Sequence, residues 1–253
     1  MSGDPPGNGP TSDAVSAAGA GPLPVVSPGT LYIVSTPIGN LEDISVRALA
    51  VLAGVDLIAA EDTRTTGNLL KHFGIKKPML SYFSYNEARR VPDLVSKLKE
   101  GRAIAVVSDA GTPGISDPAW RLISAAIDAD IPIVAIPGPT AFLPALIVSG
   151  LPIGNFVFEG FLPVKKGRVT KLEELAKEER TIVLYESPHR LLRTLADLKK
   201  AFGDRRISVA REITKKFEEV VRGTIPEVIE HFTKTRIRGE FVLVIAGRGG
   251  RDR

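Results

Sequence analysis

The sequence predicts an α/β protein of two domains, and three observations carry that expectation. From Leu31 onward, short runs rich in valine, isoleucine and alanine alternate with longer amphipathic stretches. A proline- and glycine-rich stretch at 149–155, punctuated by Gly150, Pro152 and Gly154, separates two such series. In the first series, three loops rich in glycine and proline directly follow expected strands.

The apolar runs at 31–35, 55–60, 103–108 and 133–136 have the length and branched aliphatic content of buried strands. Between and after them, 44–52, 64–73, 86–99, 119–129 and 140–148 mix apolar and polar residues over lengths that suit helices. The second series repeats the alternation, with strands expected at 156–159, 181–185, 207–211, 219–222 and 241–246 and helices at 171–177, 191–202 and 226–232. The expected domains are therefore 30–150 and 151–253. Residues 1–29 hold six prolines, six glycines and two charges, Asp4 and Asp13, with neither a basic start nor an apolar block. They are expected to form a disordered tail rather than a secretory leader.

The 253 residues, 43% hydrophobic and 25% charged, are enough to bury a sizeable core. The absence of cysteine excludes disulfides, thiolate metal sites and a cysteine nucleophile. Three histidines, His72, His189 and His231, build no metal-spaced cluster, so no metal is expected. No G-x-x-x-x-G-K-[ST] or G-x-S-x-G occurs and the first loop is not G-x-G-x-x-G, which argues against an ATPase, a serine hydrolase and a standard dinucleotide enzyme. The formal charge is +4, and it is +6 without the two acids of the tail, a moderate attraction for phosphate backbones. No apolar run approaches the length of a membrane span, so a soluble, cytoplasmic protein is expected.

The three loops read Ser35-Thr36-Pro37-Ile38-Gly39-Asn40, Ser108 through Pro118, and Ile136-Pro137-Gly138-Pro139-Thr140-Ala141. In an open α/β sheet, ligands bind beyond the carboxyl ends of the strands. Glycine lets backbone approach a ligand, and proline lowers the entropy lost on ordering, so the loops read as a pre-formed pocket. The alternative is that each is only a tight strand-to-helix turn.

At these loops the chain resembles the tetrapyrrole-methylase-like class of S-adenosylmethionine (SAM)-dependent methyltransferases, class III, and within it the branch that methylates small-subunit ribosomal RNA. The blocks that carry the resemblance are LYIVSTPIGNLEDIS from Leu31, LIAAEDTR from Leu57, AVVSDAGTPGISDP from Ala105, IPGPTA from Ile136, FEGFLP from Phe158, LYESPHR from Leu184, AREITKKFEEVVRGT from Ala210 and GEFVLVIAG from Gly239. The resemblance implies two α/β domains with the SAM cleft between them, a homodimer, and 2′-O-methylation of a cytidine ribose in the decoding region of 16S rRNA in the small ribosomal subunit. By position it implies a SAM pocket of Pro37, Gly39, Asp109, Ala110, Gly111, Thr112, Pro113, Gly114, Thr140 and Ala141, closed by Tyr185, Glu186 and Ser187. Val244, Ile245 and Ala246 are placed either against the adenine or in an ordinary buried strand. Where the family commonly has S-Y-H-E-H-N-E, this chain has Ser81-Tyr82-Phe83-Ser84-Tyr85-Asn86-Glu87, with both imidazoles gone. Phe83 and Tyr85 are expected in the core, with stacking on a nucleobase as the other reading.

SAM supplies an already activated methyl group, so the protein has mainly to align an acceptor oxygen, helped by a base or a cation near the developing alkoxide. The candidate catalytic residues are Glu61, Asp62, Glu186 and Lys215, with Arg211 and Glu212 beside Lys215. Glu61 and Asp62 also suit a helix N-terminus. The candidate RNA contacts are Arg64, Lys165, Lys166, Arg168, Arg190, Lys215 and Lys216, with 165–168 the most compact cluster and solvated surface as the other reading. Two rival functions are a methylase of the same fold acting on a tetrapyrrole and a non-catalytic RNA- or nucleotide-binding module.

Overall fold

A computed structural model describes residues 26–249. The chain divides into two compact units, one ending at Pro139 and the other beginning at Thr140.

The first unit holds a five-stranded sheet of β1 (Leu31–Val34), β2 (Leu57–Ala60), β3 (Met79–Ser81), β4 (Ile104–Val107) and β5 (Ile133–Ile136) in the order β3-β2-β4-β1-β5. Every pairing is parallel. The inner strands β1, β2 and β4 are buried at every residue, as near-continuous apolar sequences must be when helices cover both faces.

Four helices provide that cover. α1 (Val46–Gly54) and α2 (Thr63–His72) place Ala48, Val51, Leu52 and Leu70 against Tyr32, Val34, Ile58, Ala105 and Val107. α3 (Glu87–Lys99) and α4 (Trp120–Asp128) place Leu94, Leu98, Leu122 and Ala126 against Leu31, Ile33, Ala59, Ile104 and Val106. Side chains alternate between faces along each strand, so neighbours such as Ile33 and Val34 serve opposite cores. Each fully buried aliphatic side chain contributes about 1.5–3 kcal/mol.

The order of the strands fixes where the sheet opens. The chain leaves β1 through α1 on one face toward β2, and leaves β4 through α4 on the other face toward β5. The carboxyl ends of the neighbours β1 and β4 therefore form the crevice where winding reverses.

The second unit holds the sheet β6-β7-β10-β8-β9, built from β6 (Phe156–Phe161), β7 (Thr181–Glu186), β8 (Arg206–Arg211), β9 (Glu219–Thr224) and β10 (Phe241–Ile245). Only β6 and β7 run parallel; β10 pairs antiparallel with β7 and β8, and β8 with β9. Its core joins Ile182, Leu184, Ile207, Val209, Phe241, Leu243 and Ile245 to α6 (Arg168–Leu175), α7 (Leu191–Phe202) and α8 (Ile225–Lys234). The short α5 (Phe142–Ile147) packs on β7 and β10. α8 opens with a capping box in which Thr224 and Glu227 bond each other's backbone.

The two-sheet α/β expectation holds, and the differences from the sequence reading are local. β3 was not expected, because three residues between Pro78 and Tyr82 are too few to show a period. α5 groups with the second unit, although the sequence reading placed it in 30–150. The expected tail lies outside the described residues as far as residue 25. Beyond that, Val26 packs on the first core, Ser27 donates its N–H to Tyr32 Oη at 2.9 Å and Gly29 donates to Gly101 O at 2.9 Å, so 26–29 belong to the folded unit.

Candidate functional site

At the crevice between β1 and β4, the loops are joined to one another. Thr36 and Gly111 exchange backbone hydrogen bonds at 2.9 and 3.0 Å, forming an isolated antiparallel bridge. The Ser35 and Thr112 hydroxyls lie 2.8 Å apart, and Thr112 Oγ1 donates to Pro139 O at 3.0 Å. The loops after β1, β4 and β5 thus form one hydrogen-bonded cradle. Gly111 holds φ at +90°, where a side chain would strain the bridge. Gly138 approaches so closely that a Cβ added to it would sit 2.8 Å from Ser35 Cβ.

The expected pocket residues divide by exposure. Pro37, Gly111 and Pro113 are buried and serve as framework, whereas Gly39, Asp109, Ala110 and Gly114 are exposed and leave backbone open to a ligand. A cradle of exposed backbone at a switch point, with the exposed carboxylate of Asp109 beside it, fits a small polar ligand carrying hydroxyl and ammonium groups.

Acidic side chains gather at the neighbouring carboxyl ends. Asp109 donates its N–H to Glu61 Oε2 at 3.2 Å, and Asp109 Oδ1 accepts the N–H of Asp62 at 3.1 Å. Burial raises the Glu61 carboxyl above the ordinary range, and the charges of Asp109 and Asp62 add to it against the bond from Asp109. Burial likewise raises Asp109. Asp62 goes the other way: the Arg64 side chain, bonded at 2.6 to 3.2 Å, and the Arg64 N–H hold it down at about 2. Asp62 is also the N-cap of α2. Of the two acids in the EDTR block, Glu61 is the stronger proton acceptor and Asp62 a structural ion.

In the second unit, Phe142 N–H donates to Tyr185 Oη at 3.3 Å, bringing Thr140 and Ala141 at the start of α5 beside β7. Phe158 and Phe161 meet the Tyr185 ring at 5.1 and 5.6 Å, and Phe142 meets Phe158 at 4.7 Å. These rings form one aromatic cluster within the second unit. Val244, Ile245 and Ala246 are buried, the first two in the centre of the sheet.

Three residues are corrected by their surroundings. Glu186 is 2% exposed and fully bonded: Oε1 accepts the Ser187 N–H at 2.8 Å and faces Arg190 Nε at 3.3 Å, and Oε2 accepts the Thr194 hydroxyl at 2.5 Å. Buried and bonded in this way, its carboxylate organises the β7–α7 turn. Arg168 is 4% exposed and turns inward, donating to Asp197 at 2.8 Å, Thr194 Oγ1 at 2.8 Å and Pro163 O at 3.0 Å. The sequence reading placed it in a loop, but Gly167 at φ +79° starts α6 three residues earlier than expected. Lys215 bonds Glu212 at 2.9 Å and Glu240 at 2.8 Å. Burial opposes its charge, yet the two carboxylates outweigh burial and raise the ammonium above the ordinary lysine range, so it is no base and its charge is already matched.

Arg190 is also tied, donating to Leu162 O at 2.7 Å. Lys165, Lys166 and Lys216 remain exposed, as does Arg64, although Arg64 is paired with Asp62. Phe83 and Tyr85 do not enter the core: they are 37% and 96% exposed on the turn after β3. Among the described residues no acid, histidine and cysteine cluster is placed to hold a metal ion, and no helix is long and apolar enough to cross a membrane.

A doubly wound sheet whose switch-point loops form a backbone cradle, followed by a mixed sheet unit, defines a two-unit α/β protein built to hold a small ligand. The Tetrapyrrole (Corrin/Porphyrin) Methylases match residues 30–229, and the chain belongs to that family. It is a methyltransferase whose cofactor is SAM. A Synechocystis relative, Ribosomal RNA small subunit methyltransferase I, is 54% identical over 227 residues, covering 89% of this chain and 81% of its own. The Thermotoga maritima relative of the same name is 49% identical over 220 residues, covering 87% and 99%. Among solved structures, the methyltransferase CobJ matches with a TM-score of 0.65 at 21% identity over 88% of this chain and 95% of its own. A cobalamin biosynthetic enzyme, cobalt precorrin-4 methyltransferase, matches with a TM-score of 0.62 at 20% identity over 86% and 95%. These two likenesses speak for the fold.

Proposed function

We propose that this chain transfers a methyl group from SAM to small-subunit ribosomal RNA, at the ribose 2′-oxygen of a cytidine in the decoding region of 16S rRNA, as a cytoplasmic homodimer. The observation that carries the reading is the cradle at the switch point, in which Thr36, Gly111, Thr112 and Pro139 tie three loops together. The names of relatives about half identical over most of their length support ribosomal RNA as the acceptor.

In this reading the cradle, with Gly39, Asp109, Ala110 and Gly114 presenting backbone and one carboxylate, would hold the donor, with Thr140, Ala141, Tyr185 and Ser187 as its further contacts. Bound SAM supplies a methyl carbon already activated by its sulfonium. The chain contributes alignment, exclusion of water and a place for the proton. That place is Glu61, whose carboxyl is raised by burial and by its acidic neighbours. As the ribose oxygen attacks, its proton passes to a Glu61 carboxylate oxygen. Lys165, Lys166 and Lys216 attract the phosphate path.

The test supplies purified protein with radiolabelled SAM and small ribosomal subunits lacking the modification. Label on a cytidine 2′-oxygen is expected. Label on a porphyrinoid with none on the subunits would assign the chain to the tetrapyrrole reading, and SAM binding without transfer to any acceptor would assign it to the non-catalytic one.

A further inference from the structure

The turn 82–86 presents two aromatic rings that no part of the catalytic reading uses. It follows the edge strand β3, whose pairing with β2 sets Ser81 beside Ala60, and Tyr82 N–H donates to Ala60 O at 2.8 Å. All five strands run parallel, so the turn lies at the same carboxyl edge as the cradle and begins next to Glu61 and Asp62.

The turn is rigid below and open above. Asn86 accepts the Phe83 N–H on Oδ1 at 2.9 Å and donates from Nδ2 to Ser81 O at 3.0 Å, and the Asn86 and Glu87 amides both donate to Phe83 O at 2.9 Å. Beneath it, the buried Tyr82 donates its hydroxyl to Glu87 Oε1 at 2.7 Å, and Arg121 lies 3.5 Å from Glu87 Oε2. On this base stands Tyr85, 96% exposed, its ring meeting that of Phe83 edge-on at 6.2 Å. An exposed aromatic ring on a braced turn sacrifices the burial that normally stabilises it, and it is already ordered for a planar ligand.

We propose that Tyr85, supported by Phe83, is a stacking platform for an unpaired nucleobase of the acceptor RNA; this rests on the ribosomal RNA reading above. The neighbourhood favours a base over other occupants. Three carboxylates stand at the adjoining strand ends and would repel a phosphate or an acidic peptide, but they do not oppose a neutral ring. Arg89, exposed in the first turn of α3 just after the aromatic turn and outside every ion pair among the described residues, is available to take the flanking phosphate. Base-on-aromatic stacking is how proteins hold splayed single-stranded RNA.

The test compares wild type with Tyr85→Ala, Phe83→Ala, Tyr85→Phe and Tyr85→Trp, using methyl transfer to undermethylated small subunits and binding of an rRNA fragment carrying 2-aminopurine near the acceptor. Tyr85→Ala is expected to raise KM for subunits about tenfold with kcat held within about twofold, and to lose the quenching that stacking produces. Tyr85→Phe and Tyr85→Trp keep a ring and are expected to retain both properties, and SAM affinity and melting temperature should not move in any variant. Unchanged KM and quenching in Tyr85→Ala, in an enzyme that still methylates subunits, would overturn the platform and leave the RNA reading standing. A change of oligomeric state in Tyr85→Ala would overturn it in favour of a contact between copies. Failure of wild type to methylate or bind any rRNA would remove both.

Discussion

Replacing Arg168 by alanine separates the role the sequence suggests from the role the structure gives. Read as a loop cation, Arg168 would hold RNA, and its loss would weaken RNA binding without touching stability. In the structure its guanidinium is buried and bonds Asp197, Thr194 and Pro163. Breaking a buried ion pair by removing one partner costs about 3–5 kcal/mol. Asp197 is a third exposed and regains water, which lowers the loss, while Pro163 O is left without its donor, which adds about 1 kcal/mol. The Thr194 hydroxyl keeps Glu186 as its acceptor, so the next link survives. The expected loss is therefore about 3 kcal/mol, a fall in Tm of roughly 10 °C for a protein of this size. Thermal unfolding followed by circular dichroism measures it, with RNA affinity read below the transition. Arg168→Lys should fall between, since one ammonium cannot serve three partners in a plane. A Tm within about 2 °C of wild type together with a tenfold loss of RNA affinity would refute the reasoning.

Three further outcomes are expected. Glu61→Gln should lower kcat about 100-fold with SAM affinity unchanged by calorimetry; and because Glu61 must be ionised to accept a proton while its carboxyl is raised, the wild-type rate should climb with pH above the ordinary carboxylate range, and Asp109→Asn, by removing a like charge, should move that rise to lower pH. Gly138→Ala forces a methyl to within 2.8 Å of Ser35 Cβ and should weaken SAM binding about tenfold, measured by calorimetry, as the cradle is pushed apart. Lys165→Glu with Lys166→Glu, both exposed, should weaken RNA binding and flatten its salt dependence by about two phosphate contacts, seen in filter binding across a salt series.

Much of the fold was legible because β1, β2, β4, β5 and β10 are continuous apolar runs and most of the helices between strands are amphipathic. β3 was not, since an edge strand of three half-buried residues carries too little pattern. The cradle was legible as glycine- and proline-rich loops, but not the Thr36–Gly111 bridge that joins them, which depends on residues far apart in sequence. Charged residues misled most. Arg168 and Glu186 look like surface and catalytic groups until Thr194, eight and twenty-six residues away, is seen to link them. Asp109 read only as a pocket residue, because its exchange with Glu61 and Asp62 needs two neighbouring strands in register. Phe83 and Tyr85 read as core because aromatic residues usually are; Asn86, which fastens the turn, was the available sign that they are not.

The position of β10 governs the timing of folding during synthesis. Its neighbours β7 and β8 do not touch each other, so before Phe241–Ile245 emerges the nascent chain holds only the separate pairs β6–β7 and β8–β9. Translation of the roughly 90 residues from β6 to β10 takes about five to twenty seconds. For the last part of that interval, once β9 is complete, the pairs β6–β7 and β8–β9 both offer bare apolar edges, and a stop codon before β10 would leave those edges unpaired, which is far more damaging than its few missing residues suggest.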